Sequence, residues 1–389
     1  MIDQNIVLFD DIVWEKLLPF TFTRPVAEIR VGITTITEKW KVFASSVSWH
    51  TQDYLATKYP SNITSDNLFV RGNVIPSTDF IAELKNLEPG IALVKDDVVL
   101  AFRGAQFQLE ALKKKVYEGN LTLIENSWDI FEKNDEIIRF DFETLTKGRT
   151  SAPLSATNNV LNPENIFLEE GAKAEFATID ASGGPVYLAK DAEIMAGALI
   201  QGPLALEEHS VIKMGAKIYG ATTVGPWCKV AGEIQNSVIF GYSNKGHDGY
   251  LGNAVLGEWC NIGADSNNSN LKNNYDKVKL WDYSTGRFAR TGLQFCGLMM
   301  GDHSKCGINT MFNTGTVIGV SSNIFGSGFP RNFVPSFSWG GASGFALYTL
   351  KKALETAEIV MGRRKIELGE IDKNILEAVF EYTNKYRKY

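Results

Sequence analysis

From Leu188 onward an aliphatic side chain recurs every sixth position: Leu188, Ile194, Ile200, Leu206, Ile212, Ile218, Val224 and Val230. The spacing returns as Leu256 and Ile262, and again as Met300, Cys306, Phe312, Ile318 and Ile324 with bulkier residues at the key position. A helical face needs spacings of three and four and a strand alternates with period two, whereas a period of six is one side of a three-sided β-helix. Each repeated residue is then an inward one. The small residues beside them, among them Gly197, Ala198, Gly202, Gly215, Gly220 and Gly225, suit tight corners. The hexads predict about five coils, a prism on the order of 24 Å long at one inter-strand spacing per coil. A β-helix can also be a passive scaffold, but that would show flat ladders of one residue type, which this chain lacks.

The remaining patterns are of other kinds. Strand-like "NIVLFD", "NLFVRGNVI" and "GIALVKDDVVLAFR" alternate with helix-like "FIAELKNL" and "AQFQLEALKKKVYEG", so residues 1–125 read as an α/β domain. Residues 126–160 read as a connecting helix and polar linker, 161–330 as the β-helix and 331–389 as a helical tail. Between Ala264 and Gly292 an Asn-rich, aromatic stretch leaves the rhythm and predicts a loop thrown out from the coil, a common carrier of function. After a turn-rich break, two amphipathic helices are expected. Their Arg363, Arg364 and Lys365 read as a solvated face, with contact to a polyphosphate as the functional alternative.

Composition narrows the function. With 44% hydrophobic and 22% charged residues the chain is an ordinary globular one, not a disordered one. A formal net charge of -6 and a pI near 5.5 argue against nucleic acid as a partner, which needs clustered Lys and Arg. No apolar run approaches a membrane span, and "MIDQNIVLFDDIVW" carries acids where a secretory signal would be basic. Cys228, Cys260, Cys296 and Cys306 form no CxxC pair and read as small buried hydrophobes, with no metal site signalled. A reduced, cytoplasmic protein is expected.

The candidate chemistry lies in "NKGHDGYLGNAVLGEWCNIGA", residues 244–264, where His247 sits between glycines. Taken alone, such a histidine is a solvated corner residue. Together with the hexads, "GEIQN" (232–236), "KGHDGYLG" (245–252), "CNIGA" (260–264) and "NNYDKVK" (273–279), it resembles a known family. This is the acetyltransferase half of the bifunctional glucosamine-1-phosphate N-acetyltransferase and N-acetylglucosamine-1-phosphate uridylyltransferase. The resemblance implies a left-handed β-helix, acetyl-CoA as co-substrate, an amino-sugar phosphate acceptor and a homotrimer. In it His247 is the base that takes a proton from the attacking amine, worth typically ~10²–10⁴ in rate, and Glu233 orients the imidazole. Ala264 presents its N–H to the thioester carbonyl. Tyr250 and Asn261 hydrogen-bond the sugar, Asn274 and Tyr275 lie beside acetyl-CoA, and Lys277 faces the acceptor phosphate. Where the family has a lysine for that phosphate this chain has Gln235, which leaves the charge to Lys229, Lys245 or Lys277. His50, His209 and His303 show no partners in sequence, and a β-helix carbonic anhydrase would need three histidines to converge.

"LLPFTFTRPVAEIRVG" (17–32) resembles the stretch after the glycine-rich loop of sugar-nucleotide pyrophosphorylases. The glycine-rich loop itself is replaced by "LFDDIVWEKL", and Val26 stands at the signature lysine position. The resemblance implies an α/β nucleotidyltransferase-like domain with Arg24, Arg30 and Lys39 as candidate phosphate ligands, UTP as substrate and Mg as the ion if the activity exists. A silent sugar-nucleotide sensor or assembly scaffold is the alternative of a different class.

Overall fold

The computed structural model describes residues 1–110 and 112–389. They form two compact units. The first comprises Met1–Leu17, Thr23–Ile29 and Thr34–Asn126, the second Leu18–Phe22, Arg30–Ile33 and Ser127–Tyr389.

In the first unit, Asn5–Phe9 is flanked by the parallel strands Val47–His50 and Asn67–Arg71. The uninterrupted apolar run "NIVLF" is buried along its whole length, as a central strand covered on both faces should be. Ile91–Lys95 and Val98–Gly104 form an antiparallel hairpin, and its turn places Asp96 and Asp97 at positive φ, a conformation Asp tolerates. One expectation fails in this unit. "AQFQLEALKKKVYEG" reads as helical, but Lys113–Val116 is an exposed strand paired parallel to Ile91–Lys95, and Ala111 lies outside the described residues. Pairing with Ile91–Lys95 overrides local helix preference, and the consecutive lysines protect the edge from further pairing by their charge.

In the second unit the expected β-helix is present as three parallel sheets. Strands Asn159–Leu161, Thr178–Asp180, Leu199–Gln201, Lys217–Tyr219, Glu233–Gln235 and Tyr250–Gly252 stack on one face. The second face is nine-stranded, from Ile166–Leu168 to Phe333–Val334. The third face begins at Lys173–Ala174 and runs through Val211–Ile212, Lys229–Val230 and Asn244–Lys245. All the hexad residues face the core and are buried. The coil is longer than the hexads alone predict. Before Leu188 the turns carry insertions such as Asp180–Pro185, and after Val230 the inward residues become Ile234, Ile239, Lys245 and Leu251, which breaks the spacing of six without breaking the register.

The corners also differ from expectation. One column of corners is held at positive φ by Asp191, His209, Trp227, Tyr242, Trp259 and His303 instead of by glycine. That backbone costs an L-residue roughly 1–2 kcal/mol. Stacking along the column offsets it: His209 and Trp227 lie 4.2 Å apart, and Tyr242 and Trp259 lie 4.2 Å apart at 6°.

The stretch from Ala264 is not an irregular loop throughout. Asn267–Asn268 still belongs to the coil, paired with Met311–Phe312, and Lys279–Asp282 with Arg287–Arg290 forms an antiparallel hairpin. "SGFPRNFVPSFSWGGASG" likewise is more than a break, since Phe333–Val334 and Ser338–Gly341 extend the coil beyond residue 330. The two terminal helices run from Leu350 to Gly362 and from Glu370 to Thr383. The first buries Ala353, Ala357 and Met361, a spacing of four that marks its inner face.

Candidate functional site

His247 lies in the corner that follows strand Asn244–Lys245 and precedes Tyr250–Gly252. The corner needs Gly249. Gly249 has φ 107°, and a Cβ there would sit 2.2 Å from the carbonyl oxygen of Ser266. Lys245 fixes the same corner from inside, because its side chain occupies the inward slot held one coil earlier by Val230. Its ammonium donates to the carbonyls of His247 at 2.8 Å and Asp248 at 3.2 Å. Burial pushes this amine down to about 8, against the opposing pull of Asp248. Lys245 is 1% exposed, so the expectation that it contacts substrate is corrected: it is a core strut that shapes the backbone under the imidazole.

The exposed imidazole opens on a cleft of about 410 Å³ lined also by Lys213, Lys229, Asn244, Asn261 and Ala264. Four of the expected residues, Lys229, His247, Asn261 and Ala264, therefore line one cavity. The N–Hs of Asn261, Ile262, Gly263 and Asp265 all go to backbone carbonyls. Among the described residues no acceptor takes the N–H of Ala264, a residue of the cleft wall. Lys213 donates to the carbonyl of Gly246 at 2.9 Å. Lys229 and Asn244 also line a second cavity of about 540 Å³, with Tyr242, Trp259, Arg363 and Arg364. There Arg364 donates to the carbonyl of Trp227 at 3.1 Å.

Around the corner, on the neighbouring sheet, lie Glu233, Gln235 and Tyr250. Glu233 accepts from the hydroxyl of Tyr219 at 2.6 Å. Tyr250 donates to Gln235 at 2.6 Å and accepts from Asn270 at 2.9 Å. Among the described residues no hydrogen bond joins Glu233 to His247. Within one chain the expected set is thus split across two faces of the prism, with His247 at the edge between them.

Other expected positions fall elsewhere. Lys277 donates to the carbonyl of Gly292, and Asn274 binds Asp276. Tyr275 is 65% exposed. None of these lines the His247 cleft of its own chain. His209 and His303 stand on the aromatic corner column, a different corner from that of His247. Among the described residues no group of three or more His, Cys, Asp and Glu side chains is placed to hold a metal, and no helix is long and apolar enough to cross a membrane.

The candidate phosphate ligands of the N-terminal region are buried and engaged. Arg30 is 9% exposed, donates to the carbonyl of Ile33 at 2.7 Å and pairs with Glu207 at 3.5 Å. Lys39 is 2% exposed and donates to Thr34. Arg24 is 4% exposed. The polar "TFTRPVAEIRVGI" is specific because it builds structure: Gly32 and Ile33 donate to Asn134 and Asp141, both at 2.7 Å. At the carboxyl ends of the parallel strands, Asp10 accepts from the Val26 N–H at 3.0 Å and from Thr51 at 2.6 Å. Burial nevertheless pushes its carboxyl up to about 7. Arg71 donates to Asp11 at 2.7 Å.

Sequence reading missed Lys213 and Asn244. The signal was present, since both stand one residue beside an inward position, Ile212 and Lys245, and so had to project outward.

Residues 6–150 match the family model described as sugar nucleotidyl transferase. The chain is 26% identical over 258 residues to the bifunctional protein GlmU of Methanococcus maripaludis, covering 64% of this chain and 56% of that protein. It is 25% identical over 283 residues to the same-named protein of Methanococcus vannielii, covering 70% and 58%. It therefore spans little more than half the length of these relatives. Among solved structures it matches LpxA, a UDP-N-acetylglucosamine acyltransferase from Bacteroides fragilis, at 15% identity and TM-score 0.29, covering 60% of this chain and 84% of that one.

Proposed function

We propose that this protein transfers an acetyl group from acetyl-CoA to the amine of an amino-sugar phosphate, glucosamine 1-phosphate being the acceptor that the resemblance of its motifs implies. The observation that carries the reading is the cleft lined together by His247, Asn261 and Ala264. The acceptor nitrogen attacks the thioester carbonyl, His247 takes its proton, and the Ala264 N–H stabilises the oxyanion, a contribution of roughly 10²–10³ in rate. Lys229, shared by the cleft and the adjoining cavity, supplies the positive charge that Gln235 lacks. Arg363 and Arg364 extend that charge toward the phosphates of the co-substrate. A cytoplasmic homotrimer fits this reading, because a site whose residues are split over two faces of one prism is open to completion by a neighbouring copy.

The family-model match over residues 6–150 supports uridylyl transfer from UTP as a companion activity. The residues present do not fit a resident magnesium ion: Asp10 is half-buried with its two carboxylate oxygens accepting from Val26 and Thr51, and Asp11 is held by Arg71.

The test is release of free thiol from acetyl-CoA with glucosamine 1-phosphate. The wild-type chain should release it, and His247→Ala should lose ~10²–10⁴ in kcat. Full turnover in the variant would rule out His247 as the base.

A further inference from the structure

The hairpin thrown out of the coil builds a third cavity that the acetyl-transfer reading does not use. It measures about 690 Å³ and is lined by Lys272, Lys279, Trp281, Phe288, Arg331 and Phe333 among others. Pairing in the hairpin sets Trp281 opposite Phe288 and Lys279 opposite Arg290, two residues apart, so all four project from one face. The other face buries Leu280. Cations directly opposite one another are unfavourable unless an anion lies between them. Among the described residues no carboxylate pairs with Lys279, Arg290 or Arg331.

The aromatic half of the cavity is equally specific. Trp281 stacks on Phe333 at 4.1 Å and 10°, and Phe288 stands at 78° to the indole, 5.4 Å away and 46% exposed. The two rings make an L-shaped wall with one large apolar ring left open to solvent. The indole N–H of Trp281 is sealed from solvent yet has no acceptor among the described residues. A flat aromatic surface beside unpaired cations is the arrangement that holds a base by stacking and its phosphates by charge-assisted hydrogen bonds. The volume lies within the usual range for small-molecule sites.

We propose that this hairpin cavity is a nucleotide-binding site separate from the His247 cleft, with a nucleoside diphosphate as its ligand. The ring rests against Phe288 and Trp281, and Lys272, Lys279 and Arg331 take the phosphates. Arg331 comes from the coil and the lysines from the excursion, so occupancy ties the hairpin to the prism.

The test uses the full chain labelled with 5-fluorotryptophan, the fluorine resonance of Trp281 being the one missing in Trp281→Phe. ADP should shift that resonance saturably, in wild type and in His247→Ala alike, which separates this site from the acetyl-transfer reading. Lys279→Gln combined with Arg331→Gln should weaken the ADP response at least tenfold, and Phe288→Ala should weaken it several-fold. Inorganic pyrophosphate should be at least tenfold weaker than ADP. The proposal is overturned if ADP leaves the Trp281 resonance in place, if pyrophosphate matches ADP, or if either set of substitutions leaves the response unchanged.

Discussion

The hydroxyl of Tyr219 donates to Glu233 at 2.6 Å, across adjacent parallel rungs whose register sets Lys217 against Glu233. The carboxylate is therefore held by a neutral donor on its own sheet while the imidazole at the next corner stays open. If Glu233 acts on His247, it does so through its charge. Tyr219→Phe should leave kcat within about threefold and move the acid limb of the pH profile to higher pH, because an unbonded carboxylate stabilises imidazolium more strongly. A pH–rate profile of thiol release checks this. An unmoved limb would mean that the two groups are not coupled.

Lys229 faces the cleft and the adjoining cavity together. Lys229→Gln should raise KM for glucosamine 1-phosphate about tenfold or more, since a charge-assisted hydrogen bond is worth roughly 1.5–3 kcal/mol. The effect on unphosphorylated glucosamine should be small. Initial rates with both acceptors separate a phosphate contact from general damage.

Lys245 tests the core strut. Its folded amine is pushed down to about 8 from 10.5, so between those values the unfolded chain binds more protons and this lysine's contribution to stability rises with pH. Below pH 8 the burial penalty is present in full. Compared with Lys245→Met, the wild type should gain up to roughly 3 kcal/mol between pH 8 and 10.5. Denaturant melts of both proteins at several pH values read the difference, and parallel curves would refute it.

Asp10 tests the first unit with the opposite sign. Its folded carboxyl is raised from 3.8 to about 7 by burial, so the native state binds more protons over that interval and stability falls as pH rises from 4 to 7. Asp10→Asn should remove that slope, leaving a variant more stable relative to wild type at pH 8 than at pH 4. Thermal melts at the two pH values measure it.

Much was legible in the sequence because the solenoid's period is locally enforced. An inward aliphatic every six residues is the condition for one side of a three-sided coil, and Leu188 to Val230 satisfy it without a miss. His247, Asn261 and Ala264 could likewise be placed, since each lies a fixed number of residues from an inward position. Lys245 could not. A lysine in an aliphatic slot looks like a surface cation until the coil closes over it and presents two carbonyls to its amine. Tertiary structure alone also decided that Arg30 and Lys39 would be spent on carbonyls and an ion pair, because their partners Ile33, Glu207 and Thr34 are set by packing. The lysine-rich strand Lys113–Val116 takes its conformation from the sheet edge it joins. Local spacing determined which way most side chains point, and only the folded chain determined which of them meet.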